Sequence, residues 1–285
     1  MSEIGVSLDL TEGRTRSGPG LLIWLCWAIV IVVIFLALLG VQIAPDADTQ
    51  DLATGVSGPS GTHWLGTDDL GRDVLSRVIV GTRTAFVGPV LITLGSGLLG
   101  SLLGLFAGYV GGLTDSVILR WADLMFALPG HLVAIVVVGV LGGGYYLAIA
   151  VLIVLSSPFD TRLIRAATLE QRPRAFIEAA RVLGLPGRRI AVRHVLPNLV
   201  PLMIASVFLG FAYGLLALAA LSFLGLGVPA GTPDWGRMLA ESRSLLFENP
   251  WAALAPGAML ILTAASMNLI GDWLAERLSD RGRAR

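Results

Sequence analysis

Six stretches of the chain are apolar over a length that suits a bilayer, and polar segments of very unequal size separate them: 21–41, 85–110, 120–141, 145–163, 196–226 and 251–270. A hydrocarbon core about 30 Å thick takes roughly 20 residues of helix. Apolar side chains fill these runs on every side rather than along one stripe, so the pattern predicts an all-α membrane protein with six crossings. An even number of crossings puts both ends of the chain on one side. The first run competes with a secretory signal, whose apolar core is about 7–15 residues. Here the run is longer and Glu3, Asp9 and Glu12 dilute the arginines ahead of it, so an uncleaved anchor is expected.

Between the fourth and fifth runs the period changes. Phe176, Ile177, Ala180 and Leu183 fall at i, i+1, i+4 and i+7, one face of a short helix. Gly184 can take the left-handed conformation that ends it, and Pro186 blocks continuation. Ile190, His194 and Leu196 belong to a second short helix, which Pro197 is expected to turn into the next run. An amphipathic hairpin between two spans needs a cover for its apolar face, either lipid or a protein partner.

Composition narrows the chemistry. The chain is 55% hydrophobic and 14% charged, against about 25% charged in a soluble domain. Its mean hydropathy is +0.78, and with zero net charge it has no global field to attract nucleic acid. All basic residues are Arg, so a phosphate-binding loop that needs Lys, and Schiff-base catalysis, are excluded. Cys26 is alone and His63, His131 and His194 are scattered, so neither a disulfide nor a metal site is expected. No hydrolytic triad stands out. The chain reads as non-enzymatic, with no cofactor of its own.

Three further patterns carry information. Ser96, Gly100, Gly104, Gly108 and Gly112 strip one helix face of bulk so that another helix can approach, within this chain or in a second one. In the third run Arg120 and Asp123 are expected to pair locally; Pro129 is expected to kink the helix, and His131 to make a structural hydrogen bond rather than carry protons. Between the first and second runs, Gly66-Thr67-Asp68-Asp69-Leu70-Gly71-Arg72-Asp73 and Arg77 alternate in sign, as in a folded, ion-paired loop.

The hairpin also resembles a known family. Glu178-Ala179-Ala180, three residues, Gly184, nine residues, His194, one residue and Leu196-Pro197 is similar to the EAA loop of the membrane subunits of binding-protein-dependent ABC importers. His194, where the broad pattern has Ile, points to the dipeptide/oligopeptide/nickel branch. Leu65-Gly66-Thr67-Asp68 with Gly71-Arg72-Asp73-Val74-Leu75-Ser76-Arg77, and Pro233-Asp234-Trp235-Gly236, resemble C-type subunits of that branch. The likeness covers roughly 60–275. It implies a type I permease fold, with Phe176, Ile177, Glu178, Ala179, Ala180, Leu183, Gly184, His194 and Pro197 forming a coupling surface for an ATPase. It further implies a second permease, two ATPase subunits that hold ATP and Mg, an external solute-binding protein, and di- or oligopeptides as solutes, with nickel as the alternative. An ion-coupled secondary transporter is the rival of a different class; the inverted repeat it calls for is not evident.

Fifteen of the twenty arginines fall in the two ends, the 111–120 turn with Arg120, and the 162–193 loop. The positive-inside rule therefore predicts that these segments face the cytoplasm of a bacterial inner membrane. The expected organisation is a cytoplasmic tail (1–20), a first span (21–41), an external loop (42–84), a five-helix core (85–275) containing the cytoplasmic EAA loop (166–196), and a cytoplasmic tail (276–285).

Overall fold

The computed structural model describes residues 20–173 and 175–283; most of the expected N-terminal tail (1–19), Arg174 and the last two residues lie outside the described residues. Among the described residues ten α-helices follow in order: α1 (Leu21–Ile43), α2 (Val74–Val110), α3 (Gly112–Ala127), α4 (Gly130–Val140), α5 (Tyr145–Gln171), α6 (Ala175–Val182), α7 (Gly187–Ile190), α8 (Leu196–Phe223), α9 (Trp235–Glu241) and α10 (Trp251–Arg283). No strand occurs among the described residues. Among the described residues five helices are long and apolar enough to cross a membrane, and the bent pair α3–α4 makes a sixth crossing if counted as one.

The pair α2 and α5, which run parallel, forms the centre: Gly88 meets Tyr145 at one end and Gly108 meets Thr168 at the other. Its seam is the glycine row. A Cβ at Gly100 would stand 2.4 Å from the Cβ of Asp160, one at Gly104 2.5 Å from the Thr161 carbonyl, and one at Gly108 2.8 Å from the Thr168 Cβ. The row therefore packs within the chain. Gly112 is not part of it; it opens α3 and a Cβ there would meet nothing within 4 Å. Helix α1 leans on α2 where Gly40 reaches the Ile79 carbonyl (2.8 Å to a built Cβ). Cys26, Val30 and Val33 of α1 bury against Phe211, Leu215 and Ile270 from α8 and α10.

Four features differ from expectation. Helix α2 starts at Val74, inside the loop expected to run to residue 84, because Asp73 caps it by accepting from the Ser76 amide at 2.8 Å. The third crossing is broken rather than kinked: α3 and α4 meet at 86°. Proline pushes the residue before it out of helical space. Leu128 (ψ 140) and Pro129 (ψ 99) are both extended, and two extended residues in succession turn the chain through nearly a right angle. Finally, α7 does not turn at Pro197. It runs through a wide π-turn, Ala191–Val195, straight into α8, giving one helical course from Gly187 to Phe223. Pro197 lies in the first turn of α8, where a missing N–H costs little. At the other terminus α10 continues through the segment expected to be a tail, as far as Arg283.

Candidate functional site

At one end of the bundle α6 and α7 form the hairpin. Helix α6 ends as its sequence dictates: Gly184 has φ +73, the Leu183 amide donates to Ala179, and the Leu185 amide reaches back to Ala180. The apolar face expected to meet a partner divides in two. Ile177 and Ala180 are buried among Ile164, Ile190, Val195 and Leu199 of the same chain. They hold the hairpin onto the bundle and are not available for docking, which corrects the expectation for these two residues. Amphipathicity alone could not say whether the covering surface belonged to this chain or to another. Phe176, Val182 and Leu183 remain open at 41%, 88% and 80% exposure. Glu178, Ala179, Gly184 and Pro197 are exposed beside them, and His194 is half-buried, its carbonyl accepting from the Asn198 amide group at 2.7 Å. Val182 was missed because it lies one position off the helical stripe.

Arginines of α5 tie this end together. Arg165 meets the Asp115 carboxylate with Nε and with Nη2 (2.6 Å), and Arg172 donates to the Gly108 carbonyl. Asp123 pairs with Arg162 of α5, not with Arg120 as its spacing suggested. The bend that starts after Ala127 leaves α3 crossing α5 at a steep angle, with Asp115 and Asp123 meeting Arg165 and Arg162 only three residues apart, which is what brings Asp123 there.

At the opposite end the segment 44–73 folds over the start of α2 and is bolted to α9. Asp68 accepts from the Arg72 amide (3.0 Å) and Arg72 Nε (2.7 Å), and lies 3.6 Å from Arg77 Nε. Arg77 is 1% exposed. Glu241 closes the network, 3.2 Å from Arg77, 3.5 Å from Arg72 and 2.9 Å from Arg237 Nε. Two glycines make the fold of this segment possible. Gly66 (φ +74) and Gly71 (φ +70) are left-handed, and a Cβ would stand 2.2 Å from the Ser57 carbonyl and 1.9 Å from the Asp51 carbonyl. Thr67 donates to the Gly55 carbonyl, Asp73 meets His63 Nδ1 at 3.0 Å, and Asn249 donates to the carbonyls of Leu65 and Thr67. Trp235 is fully buried with its indole N–H on the Val78 carbonyl, and Gly236 lies so close to α8 that a Cβ would stand 2.3 Å from the Ala219 carbonyl.

Sequence reasoning missed the bridging roles of Glu241 and Asn249, because Arg72 and Arg77, and Leu65 and Thr67, lie more than a hundred residues from them in the chain. It also missed Asp160. This carboxylate is 8% exposed inside α5, accepts from Ser96 Oγ at 3.1 Å and is hydrogen-bonded to Ser206, so it joins α2, α5 and α8. A lone acid in an apolar run was the available signal.

Asp234 is 3% exposed and accepts from the Arg237 amide at 3.0 Å as the cap of α9. Burial pushes its carboxyl above the usual carboxylate range, against the pull of that amide and of the Thr84 and Ser222 hydroxyls. Asp51, on the surface, is held below it by the Thr54 hydroxyl and the amides of Ala53 and Thr54.

No cluster of His, Cys, Asp or Glu suited to a metal occurs among the described residues. What the arrangement offers is a bundle with a tied loop end, a seam of helix backbones, and a hairpin whose tip is apolar and uncovered. Comparison with known proteins agrees with that architecture. The chain is 38% identical over 226 residues to the dipeptide transport system permease protein DppC of Alkalihalophilus pseudofirmus, covering 79% of this chain and 74% of that one. It is 39% identical over 254 residues to the glutathione transport system permease protein GsiD of Escherichia coli, covering 88% and 84%. To the probable D,D-dipeptide transport system permease protein DdpC of Escherichia coli it is 31% identical over 280 residues, covering 95% and 94%. The fold matches a solved structure of the inward-facing MetNI methionine ABC transporter with a TM-score of 0.53 at 19% identity, over 70% of this chain and 95% of that chain. Residues 100–283 match the family described as the binding-protein-dependent transport system inner membrane component, and the chain belongs to that family: it is a multi-pass permease subunit of an ABC importer.

Proposed function

We propose that this permease forms half of a path for di- or oligopeptides and is driven through its α6–α7 hairpin by ATPase subunits on the cytoplasmic side. The distribution of arginine supports an orientation with the hairpin end inside and the loop end outside. A solute-binding protein would then deliver to the tied loop end, and a homologous second permease, a different chain, would complete the path. ATP and Mg would be held by the ATPases. The peptide class rests on three relatives whose names specify dipeptides, glutathione or D,D-dipeptides.

The observation that carries the coupling role is the uncovered apolar tip. Its buried face is already satisfied by the chain, yet Phe176, Val182 and Leu183 stay in water. Burying a Val, Leu or Phe side chain is worth about 1.5–3 kcal/mol. Reversing a conformational equilibrium from 1:99 to 99:1 takes about 5.5 kcal/mol. Three such side chains gripped more tightly in one state of the ATPases supply an energy of that size.

The test is Gly184→Leu in the reconstituted complex with labelled dipeptide. A Cβ there meets nothing within 4 Å, so crowding is not the problem; the left-handed φ is. The variant should insert and assemble while peptide-stimulated ATP hydrolysis and uptake fall at least tenfold. Unchanged stimulation would refute the hairpin's role, and ATP-driven uptake of nickel but not of peptide would refute the solute class.

A further inference from the structure

The polar aromatic pair His131–Tyr213 lies on the surface of the bundle at membrane depth. The rings meet edge to face with centroids 5.6 Å apart. Their depth can be reckoned twice. Helix α4 rises from His131 to Val140, nine residues or about 14 Å, and α8 from Tyr213 to Phe223, ten residues or about 15 Å. Both helices finish at the same level, because the Gly144 amide donates to the Leu226 carbonyl just beyond them at 2.9 Å. The pair therefore stands near the middle of a hydrocarbon core about 30 Å thick.

Both residues are open on this face: His131 is exposed and Tyr213 is 46% exposed. Beside them the chain is not helical, since Leu128 and Pro129 are extended and exposed, and no side chain caps α4. Lipid does not accept irregular backbone; it is found at this depth only where protein covers it or where it lines water. A protein cover would suit the Leu209–Leu216 flank of Tyr213, but an imidazole and a phenol each carry a donor and an acceptor that a dry seam leaves unmet.

From this juxtaposition we infer that the α3–α4 break, with His131 and Tyr213, lines the aqueous path at the bilayer midplane and offers hydrogen bonds to a solute rich in amide and carboxylate groups. This inference deepens the proposed transport role and rests on it. His131 was expected to make a structural hydrogen bond; here it becomes a solute-contacting residue.

The experiment uses the complete complex in lipid nanodiscs, with Cys26→Ala as background and a charged methanethiosulfonate as probe. His131→Cys and Tyr213→Cys should react within tenfold of the rate at Trp64→Cys in the loop segment, and far faster than Leu38→Cys on the exposed face of α1. Rates as low as at Leu38→Cys, with and without ATP, would overturn the inference. In the native-cysteine protein His131→Leu should raise the peptide concentration for half-maximal uptake at least fivefold, His131→Gln less, both with the ATPase subunits still bound. An unchanged half-maximal concentration in His131→Leu would also overturn it. Peptide uptake by the unaltered complex is read separately: its absence alongside fast labelling removes the peptide class and leaves the lining, whereas uptake with silent cysteines does the reverse.

Discussion

Asp234 shows how a single side chain can make the loop end pH-sensitive. Its carboxyl is buried and raised, so the folded state holds a proton that the unfolded chain releases near pH 4. Stability from this group is fully present below the unfolded pKa and declines as pH rises toward the folded value. Asp234→Asn keeps an acceptor for the Arg237 amide and removes the titration. Its thermal midpoint should change less between pH 4 and pH 7 than that of the parent protein, as measured by scanning fluorimetry of the complex. Equal slopes would show that Asp234 is not raised in the folded state. Asp51 runs the other way: its depressed carboxyl contributes above the unfolded pKa and is lost as pH falls through the folded one, a window confined to acid.

Among the elements, the α2–α5 seam is the most exacting. At Gly104 a Cβ would stand 2.5 Å from the Thr161 carbonyl and 3.0 Å from the Arg165 amide, both backbone atoms that cannot yield without moving α5. Gly104→Val should cost about 2–4 kcal/mol through overpacking and strain, seen as a loss of monodisperse protein in mild detergent. Gly112→Ala, one step along the same spacing but outside the seam, has room for its methyl group and tests the left-handed backbone alone. The runs that became α1, α2, α5, α8 and α10 were legible because hydropathy over a bilayer's width needs no tertiary context. The break after Ala127 was not, because a proline in an apolar run signals a disturbance and not its angle. The continuity of α7 into α8 was hidden for a related reason: Pro197 reads as a stop unless the preceding turn is known to be wide. The hairpin's partition into a buried Ile177 and an open Leu183 needed the neighbouring helices, since both lie on one stripe. The loop motif was recognisable as ion-paired, but its hub, Glu241, came from across the chain.

For the molecule as a whole, the proposed topology is the claim with the widest reach. Trp64 at 72% exposure and Leu183 at 80% stand at opposite ends, so each can be replaced without disturbing a core. In intact cells an impermeant thiol reagent should label Trp64→Cys, and Leu183→Cys only after the membrane is opened. Labelling of Leu183→Cys in sealed cells would invert the orientation and with it the ATPase contact. Such a bundle also has one member much longer than the membrane is thick. Helix α2 contains 37 residues, about 55 Å of rise, nearly twice the hydrocarbon thickness. Its first turns carry Arg77 and its far half carries the seam with α5. If it moves as one piece, a rocking of roughly 5° about the far end swings the near end by about 5 Å. A protein seated on the loop segment and an engine beneath the hairpin would thus be pushing on the same oar.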